Sequence, residues 1–264
     1  MTDRVQSIER SIDILAALAS GPKTVTEVAR ATDLSKATAF RLVASLSYRS
    51  LVIKDTSTNL YMLGPGFLQL VDGVARAFGS IASLARPALE RLLRTTGETV
   101  ILHVRVAHER IVVEQLPSPK QIRYTAHIGS AAPLYVGSAG KVLLAFLSDD
   151  ERQEQLRSLE LHRLTDKTIT RLDDLVAELD KVRAKGWAAS YGERVSGAAA
   201  ISVPARGPEG FLAALSVLGP ADRLTEVEQE RFLPSLLKAA SEVEAILASA
   251  TDGTSRRDRK ARKP

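Results

Sequence analysis

The 264-residue chain predicts an α+β protein with three parts. An N-terminal winged helix-turn-helix comes first, a linker helix second, and a larger domain of helices and an antiparallel sheet third. Three observations carry this. Two short helical patterns in TVTEVARATDLSKATAFRLVASL are separated by only a few residues. A hairpin pattern, LVIKDTSTNLYML, follows directly. Beyond residue 80, helical spacing alternates with period-two runs.

Taken in order, Val5, Ile8, Ile12, Leu15 and Leu18 form one helical stripe, and Gly21-Pro22 ends it. Thr24-x-x-Glu27 is a capping-box signature for a second helix with Val25, Val28 and Ala29 inward. That helix stops near Thr32-Asp33, where short polar side chains compete for the backbone. Leu34 plugs the gap, and Ser35 is the N-cap of a third helix from Lys36 to about Tyr48. Its inner face is Ala39, Leu42, Val43 and Leu46. Its outer face offers Lys36, Thr38, Arg41 and Ser45, and no carboxylate occurs from Ser35 to Arg49. A helix entering a DNA major groove needs such a face, free of negative charge. Helix, helix, short turn, helix, hairpin is the winged helix-turn-helix order, in which the first short helix braces the second. The expected contacts to double-stranded operator DNA are Thr24, Ser35, Lys36, Thr38 and Arg41, with Lys54 on the wing.

Composition bounds the rest. The chain is 45% hydrophobic and 25% charged, an ordinary globular balance. It has no cysteine, which excludes disulfides, thiolate zinc sites and iron–sulfur clusters and fits a reducing compartment. The start, MTDRVQSIERSID, is too charged for a signal peptide. Residues 131–147 are the most apolar run, but Pro133, Gly137, Gly140 and Lys141 interrupt it, so no membrane span or membrane partner is expected. A cytoplasmic protein is the expectation. Net charge is +5, but residues 251–264 hold six Lys/Arg against two Asp, and the remainder is close to neutral. That segment reads as a disordered, solvated basic tail.

VQSIERSIDILAAL, TVTEVARATDLSKATAFRLVASL and YMLGPGFLQL resemble the N-terminal domain of the IclR family of bacterial transcriptional regulators. Downstream, HIGSAAPLYVGSAGKVLLAFL, KGWAASYGERVSGAAAISVPA and LAALSVLGPADRLT resemble that family's effector-domain blocks. The resemblance runs in order from about Arg4 to Ala248. It implies a GAF-like fold for the second domain, a small organic acid effector, and self-association into dimers or tetramers.

The linker FLQLVDGVARAF presents Phe67, Leu70, Val71, Val74 and Phe78 as a broad apolar face, a candidate dimer surface. Helices are then expected at Leu84–Leu93, Ala139–Leu147, Asp149–Leu159, Leu172–Ala184 and Glu226–Ala248. Strands are expected at Val100–Val106, Ile111–Leu116, Ala188–Tyr191, Ala199–Val203 and Leu212–Val217. The implied domains are 4–64, the linker 65–79, the effector domain 80–250 and the tail 251–264.

Little in the second domain points to catalysis. Gly137-Ser-Ala-Gly-Lys141 is too short for a P-loop, and Val142 stands where a magnesium-binding hydroxyl would be needed. It is no nucleophile elbow either. His103, His108, His127 and His162 show no helical metal-ligand spacing; His103 and His108 could converge only across a hairpin. Glu193 has no evident partner and reads as structural. No catalytic residue, metal or cofactor is therefore assigned. The loop does offer a helix start with little bulk at Ser138, Ala139 and Gly140, whose free backbone N–H groups and macrodipole suit a carboxylate. Close helix packing asks for the same small residues. The family resemblance favours binding. It places loop contacts on Ser138 and Ala139 and side-chain contacts on Ser190, Ala200, Ser216 and Leu218. The family's best-studied pockets carry an acidic group at the position of Ser190 and thiols or hydroxyls at those of Ala200 and Leu218. A more apolar pocket is expected here, for a monocarboxylate with an apolar or aromatic body.

Overall fold

The computed structural model describes residues 5–74 and 80–261. The chain divides into two compact units, Met1–Ala77 and Phe78–Pro264.

In the first unit, α1 (Gln6–Ala19), α2 (Val25–Ala31) and α3 (Lys36–Tyr48) close around Ile14, Leu18, Val28, Ala29, Ala39, Val43 and Leu46. Strand β1 (Val52–Lys54) pairs antiparallel with β2 (Tyr61–Leu63), and Lys23 bridges to Tyr61 on the other side. The turn between the strands is tied by Asp55, which accepts from the Ser57 N–H and the Thr58 hydroxyl. Both predicted caps form. Thr24 and Glu27 make the reciprocal capping box, and Ser35 Oγ accepts the Thr38 N–H at 3.1 Å. The α1 stripe departs from expectation. Ile14 and Leu18 are buried, whereas Val5, Ile8 and Ile12 stay more than half exposed. The helix carries two apolar lines, and the 3.6-residue period alone does not say which one meets the core.

Helix α4 (Gly66–Val74) follows the wing. Leu68, Leu70 and Val71 are exposed and Phe67 is half-buried. The Val74 side chain and the whole of Phe78 lie outside the described residues.

The second unit is built on one six-stranded antiparallel sheet. Its strands are β3 (Thr99–Val106), β4 (Glu109–Leu116), β5 (Ala131–Pro133), β6 (Ala188–Tyr191), β7 (Ala198–Arg206) and β8 (Leu212–Pro220), in the order β5-β4-β3-β8-β7-β6. One face is covered by α5 (Ser80–Thr96) and α9 (Glu226–Ala261) over Val100, Leu102, Ile201, Val203, Leu215 and Val217. Against the other face lie α6 (Gly137–Ala145) and, packed on it, α8 (Leu172–Lys185); α7 (Asp149–Ser158) follows α6. Alternation along each strand thus separates an apolar core face from the face that receives α6.

Two differences from the sequence reading stand out. The short β5 was not expected; only three residues pair, too few for a visible alternation. The last helix continues through residues 251–261, the segment read as disordered tail. No proline interrupts it there, although Gly253 and the Thr, Asp and Ser around it are weak helix formers.

Candidate functional site

On the first unit, the exposed face of α3 carries Lys36, Arg41 and Ser45, with Thr38 half-buried. Three predicted hydroxyls already have local duties. Thr24 Oγ1 donates to Glu27 Oε2 at 2.8 Å, and Ser35 Oγ and Thr38 Oγ1 lie 2.9 Å apart as one cap. Lys54 sits over the Tyr61 ring, 5.7 Å from its centroid, which leaves its stem on the wing. Phe40, which the sequence reading passed over, is 54% exposed beside this face.

The second unit holds a cavity of about 90 Å³ between the sheet and the start of α6. Six of the seven predicted effector residues meet there: Ser138, Ala139, Ser190, Ala200, Ser216 and Leu218. Strand register explains the convergence, because Ser190 pairs with Ala200 and Ala200 with Leu218, while Ser216 pairs with Ser202 and Ile101. Gly140 is the exception. A Cβ on it would lie 2.2 Å from the Leu134 carbonyl oxygen, so this glycine serves close packing of α6 rather than the cavity.

Two serines are less free than the sequence suggests. Ser138 Oγ is 2.7 Å from Ser202 Oγ, and Ser202 Oγ is 2.7 Å from Ser216 Oγ. Ser202 is wholly buried and was not predicted; only the register places it between the other two.

The start of α6 differs from expectation as well. Glu193, read as a lone carboxylate, accepts the Gly137 N–H at 2.9 Å through Oε2 and the Lys141 ammonium at 2.7 Å through Oε1. Lys141 is 2% exposed and also reaches Glu178 at 3.0 Å. One carboxylate therefore already caps the helix, from 56 residues further along the chain.

A third feature escaped sequence reasoning altogether. Arg110 of β4 lines the cavity and is only 7% exposed. Its Nη1 lies 3.2 Å from His103 Nδ1, and its Nε is buried with no partner among the described residues. Burial, and then the charge of Arg194, lowers its pKa to about 10. Because Arg has no acceptor, His103 Nδ1 must accept and its proton must sit on Nε2. Burial, then Arg110, then Arg194 hold the His103 pKa well below its ordinary value, so the ring is neutral. His103 and His108 do not converge, for His108 turns to Gln155. Among the described residues no group of three or more His, Asp or Glu could hold a metal ion.

Two loops complete the lining of the cavity. Tyr124, Thr125 and Ala126 come from one, and Glu193, Arg194 and Val195 from the other. They are joined where the Tyr124 hydroxyl donates to the Ser196 carbonyl at 3.1 Å.

Residues 78–245 match the family described as bacterial transcriptional regulator IclR C-terminal, and residues 7–56 match the IclR helix-turn-helix domain. The chain belongs to the IclR family. Among relatives of this IclR-family regulator, the HTH-type transcriptional regulator BhcR of Paracoccus denitrificans (strain Pd 1222) is 30% identical, over 96% of this chain and 91% of that one. The HTH-type transcriptional repressor AllR of Salmonella typhi is 32% identical, over 86% of this chain and 84% of that one. The crystal structure of the Thermotoga maritima IclR superposes with a TM-score of 0.74 at 27% identity, covering 92% and 99% of the two chains. BhcR and AllR are named as transcriptional regulators, not enzymes. Among the described residues, no helix is long and apolar enough to cross a membrane.

Proposed function

We propose that this IclR-family regulator senses a small organic acid, a monocarboxylate with an apolar or aromatic body, in the cavity beside α6, and that the acid changes its hold on operator DNA. The reading is carried by the convergence of six predicted effector positions on one cavity. Its walls at Ala198, Ala199, Ala200, Leu218 and Ile101 offer no side-chain polar partner, so the part of the ligand that lies against them is apolar. The cavity, at about 90 Å³, has room for a small molecule.

The DNA contacts follow the face of α3. Arg41 reads bases, Lys36 holds phosphate, and Lys54 extends the contact from the wing. Thr24, Ser35 and Thr38 hold the two helices in register, with their caps beside the phosphates. The protein works as a dimer or a higher oligomer in the cytoplasm, and the exposed apolar residues of α1 and α4 supply self-association surface. Calorimetric titration of benzoate, hexanoate and pyruvate against the wild type and Leu218→Ser tests the ligand class. The wild type is expected to prefer benzoate or hexanoate, and Leu218→Ser to shift preference towards pyruvate. Tight pyruvate binding by the wild type, with no response to the other two, would overturn the apolar-body reading.

A further inference from the structure

The cavity holds a charge that no carboxylate among the described residues answers. Arg110 is more than nine-tenths buried, and no carboxylate among the described residues lies within ion-pair distance of it. Its one side-chain hydrogen-bond partner among the described residues, His103, is neutral and offers a single lone pair. The nearby carboxylate, Glu193, spends both oxygens elsewhere, on the Gly137 N–H and on Lys141. Arg194 adds a second positive charge to the lining. A buried charge left in this state costs stability, and a fold has no packing reason to keep it when an apolar side chain of similar length would fill the space.

Position gives the charge its meaning. Arg110 Nη2 lies 3.8 Å from where a Cβ on Gly137 would stand, so the guanidinium lies beside the first turn of α6. Gly137 also takes a positive φ of 79°, which keeps side chains from this spot. A planar fork, a helix start and a cavity meet at one point. The fork suits a carboxylate, which can accept two parallel N–H bonds.

Resting on the acid-sensing reading above, we propose that Arg110 is the group that receives the ligand's carboxylate, and that the apolar body lies away from it along Ala200 and Leu218. The α6 start, already capped by Glu193, is then a supporting dipole rather than the main anchor. His103 is a positioning residue: its Nδ1 fixes the rotation of the guanidinium.

The test uses the full chain and its Arg110→Met and Arg110→Lys variants. Benzoate, hexanoate and pyruvate are titrated calorimetrically, with benzamide as the neutral isostere of benzoate, and each unliganded protein is melted. The wild type is expected to bind an acid and to ignore benzamide. Arg110→Met should weaken acid binding by on the order of a hundredfold or more, with Arg110→Lys between the two. Unliganded Arg110→Met should melt at or above the wild-type temperature, because an unpaired buried charge has gone. If Arg110→Met binds the acid as the wild type does, or melts several degrees lower without ligand, the assignment of Arg110 fails while acid sensing stands. If the wild type binds none of the three acids, the acid-sensing reading itself fails.

Discussion

Helices α3 and α6 begin in opposite ways. Helix α3 is capped three residues away, by Ser35 accepting from Thr38, and its first turns face solvent with Lys36 and Arg41. Helix α6 has no side-chain cap from its own N-cap residue and is buried along its whole length. Its first N–H is met by Glu193, which Lys141 holds in turn. The first start is a local device that leaves the helix free to dock on a large partner. The second is assembled from distant parts of the chain and encloses a small space. The difference shows why one unit can present a surface while the other keeps a cavity.

Breaking the distant assembly should have the larger effect. Lys141→Met leaves Glu193 buried without its cation, and loss of one partner from such a pair costs about 3–5 kcal/mol. Chemical denaturation of the variant should report a loss of that order; an unchanged midpoint would mean the pair carries no stability. Next comes function at the same helix. Ala139→Asp sets a carboxylate on the cavity wall, where it repels an incoming acid. It should abolish acid binding in a calorimetric titration while the melting curve shows a folded protein. Retained binding would show that the ligand does not approach the start of α6.

At the exposed helix, Arg41→Ala should weaken operator binding by about 1–3 kcal/mol and relax sequence preference, whereas Lys36→Ala should weaken all DNA alike. Footprint titrations on operator and random DNA separate the two. Equal operator affinity in Arg41→Ala would remove that residue from the interface. The smallest effect belongs to the local cap. Ser35→Ala should cost about 1 kcal/mol of stability, seen as a small drop in melting temperature. A loss as large as that of Lys141→Met would erase the contrast between the two helix starts.

The same contrast governs what the sequence makes legible. Caps, the helix order, the wing and most strands depend on residues a few positions apart, so Thr24-x-x-Glu27, Ser35 and the alternation of β3 or β7 announce themselves. Ser138 and Ala139 stood out as a small-residue helix start, but Ser190, Ala200, Ser216 and Leu218 were reachable only through the family resemblance, since spacing alone does not bring Ser190 beside Leu218. What was missed depends on register across the sheet. Ser202 gains its place from pairing with Ser216, Glu193 from a helix 52 to 56 residues earlier, and Arg110, which pairs with Arg105, from reaching diagonally across the hairpin to His103. Nothing in VAHERIVVEQL marks its Arg as buried. Gly140 went astray because small residues at a helix start serve both ligands and packing. In α1, both apolar lines fit the helical period, and only the fold chooses between them.

The three linked serines have a consequence of their own. Each hydroxyl owns one proton, and the two links at 2.7 Å use two of the three. Ser202 is wholly buried and its hydroxyl has no other partner among the described residues, so its proton goes into one of the two links, and the row then runs either from Ser138 towards Ser216 or back again. An acceptor placed against Ser216 selects the first direction, and a donor there selects the second. The row thus responds as a unit to the polarity of whatever touches its sheet end, and it delivers that sign, without moving a heavy atom, to the second residue of α6.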